Sequence, residues 1–487
     1  MTMALTTKQK MGAAALIMAA SILVSRFMGL LRDKIISWQF GAGGETDIYF
    51  AAFVVPDFLN YLLAGGYVSI TLIPLLSKRF EEDEEDGWRL FSTVFCWAAL
   101  SIGVLSAAAW LAAPVLAPAI APGFSDAQSL RLVHFLRIIL PAQVFFLPGA
   151  CLTALLYIRH QFSVPALTPL VYNGFILACG VGAPMLGLAE GMEGFCWGVT
   201  FGAFTGSLLL PYLAVRAGGL RFEPSFAHPL MRKFLLMALP LMIGQSVVVL
   251  DEQFVRIFGS MAGDGAVSLL NYARRIMLVP VGVVAQAAGV ASFPFLASLA
   301  AKGDMDGFRN TLGSTMRSSM VIAVPVTIWM IMAAKPVMGF IFEGGGFSAA
   351  DTSGAAPLLM LMMLAVPFWL LQQVTGRAFY AMQDTVTPAV VGTLVTVAAV
   401  PCYMAAVPAM GAAGVAAATT LSVALYAVVL MAVACRRWAG NSFPVCWGLP
   451  CAARRCASPA ALRCTACRSL EAGLWMVCIR CLCSSPC

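Results

Sequence analysis

Long apolar stretches alternate with short polar connectors from the start of the chain to about Arg437. A helix needs about 20 predominantly apolar residues to cross roughly 30 Å of hydrocarbon. Stretches of this kind predict twelve transmembrane helices. Their expected starts are Gly12, Asp47, Leu90, Arg131, Val164, Gly194, Lys233, Val267, Thr311, Ala355, Thr387 and Ala412. Mid-span prolines such as Pro141 and Pro367 predict kinks, whose freed backbone groups neighbouring helices or water can satisfy.

Basic residues follow an alternating pattern in the connectors. The loops after the even-numbered spans carry Lys or Arg, for example Lys78 and Arg159, whereas loops such as 122–129 and 344–354 carry neither. Because basic loops stay in the cytoplasm, this pattern places both the N-terminus and Arg437 on the cytoplasmic side. The alternation also supports an even number of spans independently of hydropathy.

Composition agrees with a polytopic membrane protein. Of the 487 residues, 60% are hydrophobic and 11% are charged. A soluble protein has a lower share of hydrophobic residues and a higher share of charged ones. The net charge of +7 is spread through short loops, so no nucleic-acid surface is predicted. Six of the 15 cysteines are scattered through apolar segments, where we interpret them as small core residues without disulfides.

A weak internal repeat divides the chain into halves. The segment Tyr157–Pro165 has the same tyrosine-to-proline spacing as Tyr380–Pro388, and Phe40-Gly41 matches Phe258-Gly259. The nearly equal offsets, 223 and 218 residues, predict two related six-helix lobes at 1–225 and 226–440. Parallel repeats of this kind are typical of alternating-access transporters, in which substrate binds between the lobes.

Charged residues occur inside the predicted spans, where a helix that only packs needs none. A charge near the bilayer centre costs roughly 2.5 to 3.5 kcal/mol on insertion scales, so such residues usually line a watery cavity or pair with one another. They concentrate in the first two spans of each lobe, which we therefore predict to be the cavity walls. These positions are Arg26, Arg32, Asp33, Asp47, Asp57, Asp251, Glu252, Arg256, Arg274 and Arg275.

The arginines indicate a phosphate-bearing substrate, because guanidinium pairs bidentately with phosphate oxygens. Two alternatives stay open. Arg32 and Asp33 would be simple interfacial anchors if they snorkel to the headgroups. Glu252 and Arg256, at helical spacing, would form an internal salt bridge.

The sequence contains no GxSxG, Walker A or HExxH pattern, so we predict a transporter with no catalytic residues. Without a nucleotide-binding loop, transport would depend on an ion gradient or on the membrane potential. Asp251 and Asp384 are candidate sodium ligands, since a hard cation needs oxygen donors. The alternative is that both are structural acids. No other cofactor is predicted.

Several motifs resemble one known family. Ser25-Arg26-x-x-Gly29-x-x-Arg32-Asp33, Phe40-Gly41-Ala42-Gly43-x-x-Thr46-Asp47 and Val55-Pro56-Asp57 are similar to the opening of the MurJ (MviN) flippases of the MOP exporter superfamily. Asn271–Ile276 and Tyr380–Pro388 match second-lobe landmarks of that family. The resemblance covers about residues 11–437.

The resemblance implies a V-shaped, all-α pair of six-helix lobes in the bacterial inner membrane, acting in peptidoglycan biosynthesis, cell wall biogenesis and cell shape. The expected function is to flip lipid II, an undecaprenyl-pyrophosphate-linked disaccharide peptide, from the cytoplasmic to the periplasmic leaflet. The partners would be lipid II and membrane lipids, and the protein would be a monomer.

The resemblance also implies roles for individual residues. Arg26, Arg32 and Arg275 would bind the pyrophosphate and sugar, with Arg274 as a further substrate contact. Asp33 and Asp47 would shape or gate the cavity. Some members carry a sodium site in the second lobe, to which Asp251 and Asp384 would correspond.

The chain departs from the family pattern in its charges. It has Asn60-Tyr61 where many relatives have paired arginines, and Arg274-Arg275 where Asp-Arg is usual. One cavity cation is therefore lost and another gained. We expect Arg26 and Arg32 to carry more of the substrate charge as a result.

The tail is a second departure. Residues 441–487 hold nine cysteines where relatives have helices 13 and 14. We interpret this tail as the product of a reading-frame shift. The alternative is a pair of zinc knuckles at Cys464-x-x-Cys467 and Cys478-x-x-Cys481.

Two other functions compete with the flippase. A related exporter in the superfamily would carry another polyprenyl-linked glycan or cationic drugs, but a drug exporter would favour an acidic cavity. A membrane-embedded enzyme or scaffold acting on undecaprenyl carriers would need convergent catalytic or metal-binding residues on its loops, and the sequence shows none.

Overall fold

A computed structural model describes residues 7–64, 67–282 and 286–438. In these ranges the chain is all-helical, apart from an isolated bridge between Gly344 and Phe347. The all-α prediction is therefore confirmed. The cysteine-rich tail, with both of its interpretations, lies outside the described residues.

The described residues of the first half form ten α-helices. They are α1 (Thr7–Phe40), α2 (Gly44–Ala51), α3 (Val54–Ala64), α4 (Tyr67–Glu82), α5 (Glu84–Ile120), α6 (Asp126–Ile139), α7 (Gln143–Ile158), α8 (Ser163–Met185), α9 (Glu193–Gly202) and α10 (Leu210–Ala217). A 3₁₀ turn containing Pro141 joins α6 to α7, as expected of a proline that removes a backbone donor. A π-helical segment, Ala203–Leu209, joins α9 to α10, and the sequence did not predict it.

In the second half, nine α-helices lie within the ranges that the structure describes. They are α11 (Met231–Ser260), α12 (Ala266–Pro280), α13 (Gln286–Ala301), α14 (Met305–Met332), α15 (Ala334–Phe342), α16 (Ala349–Met363), α17 (Ala365–Ala381), α18 (Val386–Met410) and α19 (Ala412–Trp438). The break between α16 and α17 falls just before Pro367.

The predicted spans coincide with helical segments. Each predicted start lies inside a helix, between zero residues (Ala412) and six residues (Leu90) from its first residue. Among the described residues, eight continuous segments are long and apolar enough to cross a membrane: α5, α6–α7, α8, α9–α10, α14, α16–α17, α18 and α19. The protein is thus a multi-pass membrane protein, while the count of twelve spans stays a prediction.

Contacts between the two halves involve few elements. Within each half, α8 packs on α1 and α9, and α19 packs on α17 and α18. Across the halves, α11 packs on α3 and α4, α12 packs on α2, and α1 contacts α15. The elements that bridge the halves are therefore largely those that carry the intramembrane charges. The predicted boundary at residues 225/226 falls in the connector between α10 and α11 and stays a prediction.

Candidate functional site

Three of the predicted site residues meet between α1 and α12. Asp33 lies one residue after Arg32 on α1, and its Oδ1 accepts a hydrogen bond from the Arg32 guanidinium at 2.9 Å. Its Oδ2 forms an ion pair with Nε of Arg275 at 2.6 Å. The Asp33 side chain is only 2% exposed, whereas that of Arg275 is 45% exposed. A buried carboxylate thus fixes two guanidinium groups and leaves part of one of them accessible.

Arg26 lies about two helical turns before Asp33 on α1, and its side chain is exposed. Its guanidinium lies against Gly282, directly beyond α12, so closely that a Cβ at position 282 would collide with it. No ion pair to Arg26 occurs within the described part of the chain. Arg26, Arg32, Asp33 and Arg275, which we call the arginine cluster, therefore hold three positive charges against one negative charge. Two positive charges remain for an anionic ligand.

Asp47 on α2 caps α12 from across the contact between the halves. Its Oδ2 accepts from the backbone N–H of Gly265 at 2.7 Å, and its Oδ1 accepts from the N–H of Ser268 at 2.7 Å and from the Ser268 hydroxyl. The first N–H groups of a helix lack intrahelical partners and carry partial positive charge. A buried carboxylate at this position satisfies them and stabilises the contact between the halves.

Further contacts close the same end of the bundle. The backbone N–H of Gly346 donates to the Trp38 carbonyl at 2.6 Å. The Tyr272 hydroxyl donates to the Gly41 carbonyl at 3.3 Å. Two side chains of the first half also donate hydrogen bonds to the second half at 2.8 Å: Lys34 to the Glu343 carbonyl, and Gln128 to the Asp264 carboxylate. The two halves are therefore closed where α1 ends and α12 begins, an end that we call the sealed end.

Gly41 makes the tightest backbone approach at the sealed end and supplies a prediction. Its φ of +67° is in the left-handed region, which costs other residues about 1–2 kcal/mol, and a Cβ there would collide with the Gly346 carbonyl. We expect Gly41→Ala to loosen the sealed end and lower the melting temperature of the purified protein. Gly43→Ala is the matched control, because Gly43 has a φ of −145° and open space around its Cβ position. Equal melting temperatures for both variants would contradict the close approach.

A second charge cluster joins α3 to α11. Arg256 forms an ion pair with Oδ2 of Asp57 at 2.6 Å and with Oε1 of Glu252 at 2.9 Å, and its side chain is buried. The internal salt bridge between Glu252 and Arg256 is thus present, and the opposite half adds Asp57 to it. With both terminal nitrogens of its guanidinium engaged by carboxylates, Arg256 contributes no free charge to the cavity.

The structure does not bring Arg274 together with the arginine cluster. Its guanidinium forms an ion pair with Oδ2 of Asp251 at 3.0 Å, and its side chain is 7% exposed. The ring of Trp369 lies beneath it, 5.6 Å from centroid to guanidinium carbon. Adjacent side chains project about 100° apart on a helix, so Arg275 lies towards α1 while Arg274 lies within the second half. Arg274 is therefore in a buried pair, where the sequence had predicted a substrate contact.

The two candidate sodium ligands lie apart. Asp251 lines a cavity with Gln372, Thr396, Ser422 and Tyr426, whereas Asp384 lines a different one with Arg437. Across 7–64, 67–282 and 286–438, no three His, Cys, Asp or Glu side chains are grouped as a metal site would require.

Asp384 already has partners of its own in the connector between α17 and α18. It accepts hydrogen bonds from the Thr387 backbone and hydroxyl at 2.9 and 2.6 Å, and pairs with Arg437. Burial favours a raised pKa for Asp384, but these hydrogen bonds and the Arg437 charge outweigh it and hold the pKa below its usual value. The acid is therefore well suited to joining the start of α18 to the end of α19.

A family model described as lipid II flippase MurJ matches residues 36–482. The chain belongs to the MurJ family. The matched region extends over most of the tail at 441–487, whose interpretation as a frame-shifted product stays a prediction. In this MurJ-family chain, Arg275 of the arginine cluster lies inside the matched region, whereas Arg26, Arg32 and Asp33 precede it.

Relatives of this MurJ-family chain carry the same description. It is 27% identical over 436 residues to the probable lipid II flippase MurJ of Rhizobium meliloti (strain 1021), covering 88% of this chain and 81% of the relative. It is 29% identical over 415 residues to the lipid II flippase MurJ of Burkholderia cenocepacia, covering 82% and 79%.

Two solved structures share the fold. One is titled lipid II flippase MurJ in an inward closed conformation, with a TM-score of 0.74, 22% identity, and coverage of 86% of this chain and 87% of that one. The other is an inward-facing multidrug resistance MATE transporter of the MOP superfamily, with a TM-score of 0.71, 14% identity, and coverage of 87% and 98%. At these identities the likeness shows the fold alone, and it confirms the prediction of a MOP-type architecture.

Proposed function

We propose that this MurJ-family chain flips lipid II from the cytoplasmic to the periplasmic leaflet of the bacterial inner membrane. The observation that carries the proposal is the arginine cluster, which holds two surplus positive charges between α1 and α12. A pyrophosphate group is the anion that this cluster suits, because guanidinium groups pair bidentately with phosphate oxygens. The curated relatives named as lipid II flippases support the same substrate.

Alternating access follows from the sealed end. The alternation of basic loops predicts that the sealed end, where α1 ends, is periplasmic, so the conformation described is closed to the periplasm. The head group would enter from the cytoplasm and bind to the exposed guanidinium groups of Arg26 and Arg275. Opening to the periplasm would then require Asp47 to leave α12, and Asp57 to leave Arg256.

No covalent step is needed for this reaction, so the chain would act as a transporter and not as an enzyme. The membrane potential or an ion gradient would supply the driving force. Moving one elementary charge across the membrane is worth about 2.3 kcal/mol per 100 mV, which is sufficient to bias a two-state equilibrium strongly. We further propose that the protein acts as a monomer with its N-terminus in the cytoplasm.

The positive cluster also distinguishes the proposal from cationic drug export. A cluster with three guanidinium groups and one carboxylate repels a cationic drug and attracts an anionic lipid head group. Another polyprenyl-linked glycan would satisfy the same charge pattern, so the substrate has to be tested directly.

Complementation supplies that test. The chain is expressed in a bacterial strain depleted of its own lipid II flippase, and the lipid II exposed on the outer leaflet is measured. We expect exposure and growth to be restored relative to a strain carrying the empty vector. Full membrane expression without any lipid II exposure would contradict the proposal and favour another polyprenyl-linked substrate.

A further inference from the structure

The Asp251–Arg274 pair lies at a junction of four helices in the second half. Asp251 is on α11 and Arg274 is on α12, 3.0 Å apart. Tyr403 of α18 places its hydroxyl 3.5 Å from Oδ1 of Asp251 and 2.9 Å from the Thr419 hydroxyl on α19. The pair therefore connects the helices that form the core of this half.

A bound sodium ion does not fit this arrangement. A hard cation needs several oxygen donors directed at one point. Here one carboxylate oxygen of Asp251 faces a guanidinium and the other faces the Tyr403 hydroxyl. A guanidinium at 3.0 Å from the carboxylate also repels any second cation brought to it. Asp384, the other predicted ligand, pairs with Arg437 elsewhere.

Arg274 is held in this position by more than its charge. Its side chain is 7% exposed, and its guanidinium lies over the Trp369 ring, a favourable cation–π geometry. The Nε of Arg274 is buried without a hydrogen-bond partner among the described residues. Arg274 is buried and leaves one donor unsatisfied, whereas its neighbour Arg275 is 45% exposed. This position is better explained by a demand for positive charge beside Asp251 than by substrate binding.

We propose that Arg274 is a built-in counter-cation that replaces a bound sodium ion in the second half of this protein. Its guanidinium supplies the positive charge beside Asp251 that a coupling ion would otherwise supply. The protein is therefore stable, and changes conformation, without a sodium requirement. Removing Arg274 frees the carboxylate of Asp251, which lines a cavity together with Gln372, Thr396 and Ser422, and so creates a sodium site.

The local charge balance supports this assignment. Asp57 and Glu252 form ion pairs with Arg256 and are also close enough to Arg275 to feel its charge, whereas the ion pair of Asp251 is with Arg274. Loss of Arg274 therefore leaves Asp251 without an ion-pair partner among the described residues. A carboxylate in that position binds an available cation, because an uncompensated buried charge is strongly destabilising.

The test uses the purified full-length protein in detergent and measures thermal unfolding in sodium chloride and in choline chloride at equal ionic strength. We expect the wild type to unfold at the same temperature in both salts. Arg274→Ala should unfold at a lower temperature in choline and be stabilised by sodium in a saturable way, with at least roughly tenfold stronger sodium binding than the wild type. That stabilisation should disappear in the double variant Arg274→Ala with Asp251→Asn.

Arg275→Ala is the matched control, because it removes the adjacent arginine without touching Asp251 and should gain no sodium response. Saturable, sodium-specific stabilisation of the wild type that is lost in Asp251→Asn would overturn the proposal. A folded Arg274→Ala variant without a sodium response would overturn it as well.

If Arg274→Ala does not fold, direct measurement of radioactive sodium binding to the wild type decides the question, since saturable binding contradicts the built-in cation. None of these readouts depends on lipid flipping, so they can fail while complementation succeeds.

Discussion

Replacing Arg26, Arg32 and Arg275 together with alanine should abolish lipid II exposure in the depleted strain. Each arginine would contribute a charge-assisted interaction with the pyrophosphate of about 1.5–3 kcal/mol, so each single replacement should reduce flipping roughly tenfold or more. The measurement is the amount of lipid II exposed on the outer leaflet, normalised to the amount of flippase in the membrane.

The triple replacement also destabilises the protein, because it removes both ion-pair partners of Asp33. Alanine at 32 and 275 would leave this buried carboxylate without its two cations, which costs stability independently of substrate binding. The triple variant should therefore be compared with a quadruple variant that adds Asp33→Asn. Arg309→Ala is the control for the loss of an arginine, because the ion pair of Arg309 is with Asp306 at the start of α14, away from the arginine cluster. Normal exposure with all three cluster arginines replaced would refute the assignment of the site.

Asp47→Asn should shift the protein away from the conformation closed at the sealed end. The amide keeps the size of the side chain but loses the charge and one of the acceptors that bind the start of α12. A capping interaction is worth about 0.5–2 kcal/mol, and a hydrogen bond to a charged group about 1.5–3 kcal/mol. We expect the closed population to fall at least roughly tenfold, with slower flipping.

Cysteine cross-linking across the sealed end measures that shift. Nε2 of Gln128 lies 2.8 Å from Oδ1 of Asp264 across it, so Gln128→Cys with Asp264→Cys should cross-link efficiently with a short bifunctional thiol reagent in a background without other accessible cysteines. Adding Asp47→Asn should reduce the yield. Glu45→Gln is the matched control, because Glu45 is on the same helix but binds Arg131 within the first half. An equal loss of cross-linking in both variants would show that Asp47 has no special role.

Much of the fold was predictable because its signals are local. Apolar length and the alternation of basic loops depend only on neighbouring residues, and every predicted helix start fell inside a helix. The breaks were predictable only in part. Pro141 marks one of them, whereas the π-helical segment at Ala203–Leu209 has no proline inside it and no comparable sequence signal.

The site was predictable as a set of charges but not as a set of pairs. The sequence identified Arg32 and Arg275, yet their common partner is decided by how α1 meets α12. The acceptor role of Asp47 depends on Ser268, 221 residues away, and no spacing rule connects the two. The partner of Arg274 was not predicted for the same reason, since its acid is not within one helical turn but on α11.

The different directions of Arg274 and Arg275 have a consequence for how α12 would move. Carboxylates of the first half hold α12 at two points, Asp47 at its start and Asp33 at Arg275. One carboxylate of the second half, Asp251, holds it from the other side. The Asp47 and Asp33 attachments join the two halves and must break when the halves separate, whereas the Asp251 pair lies within the second half and can persist. We therefore expect α12 and Arg275 to move with the second half, so that the bound head group would be pulled away from α1 during each cycle.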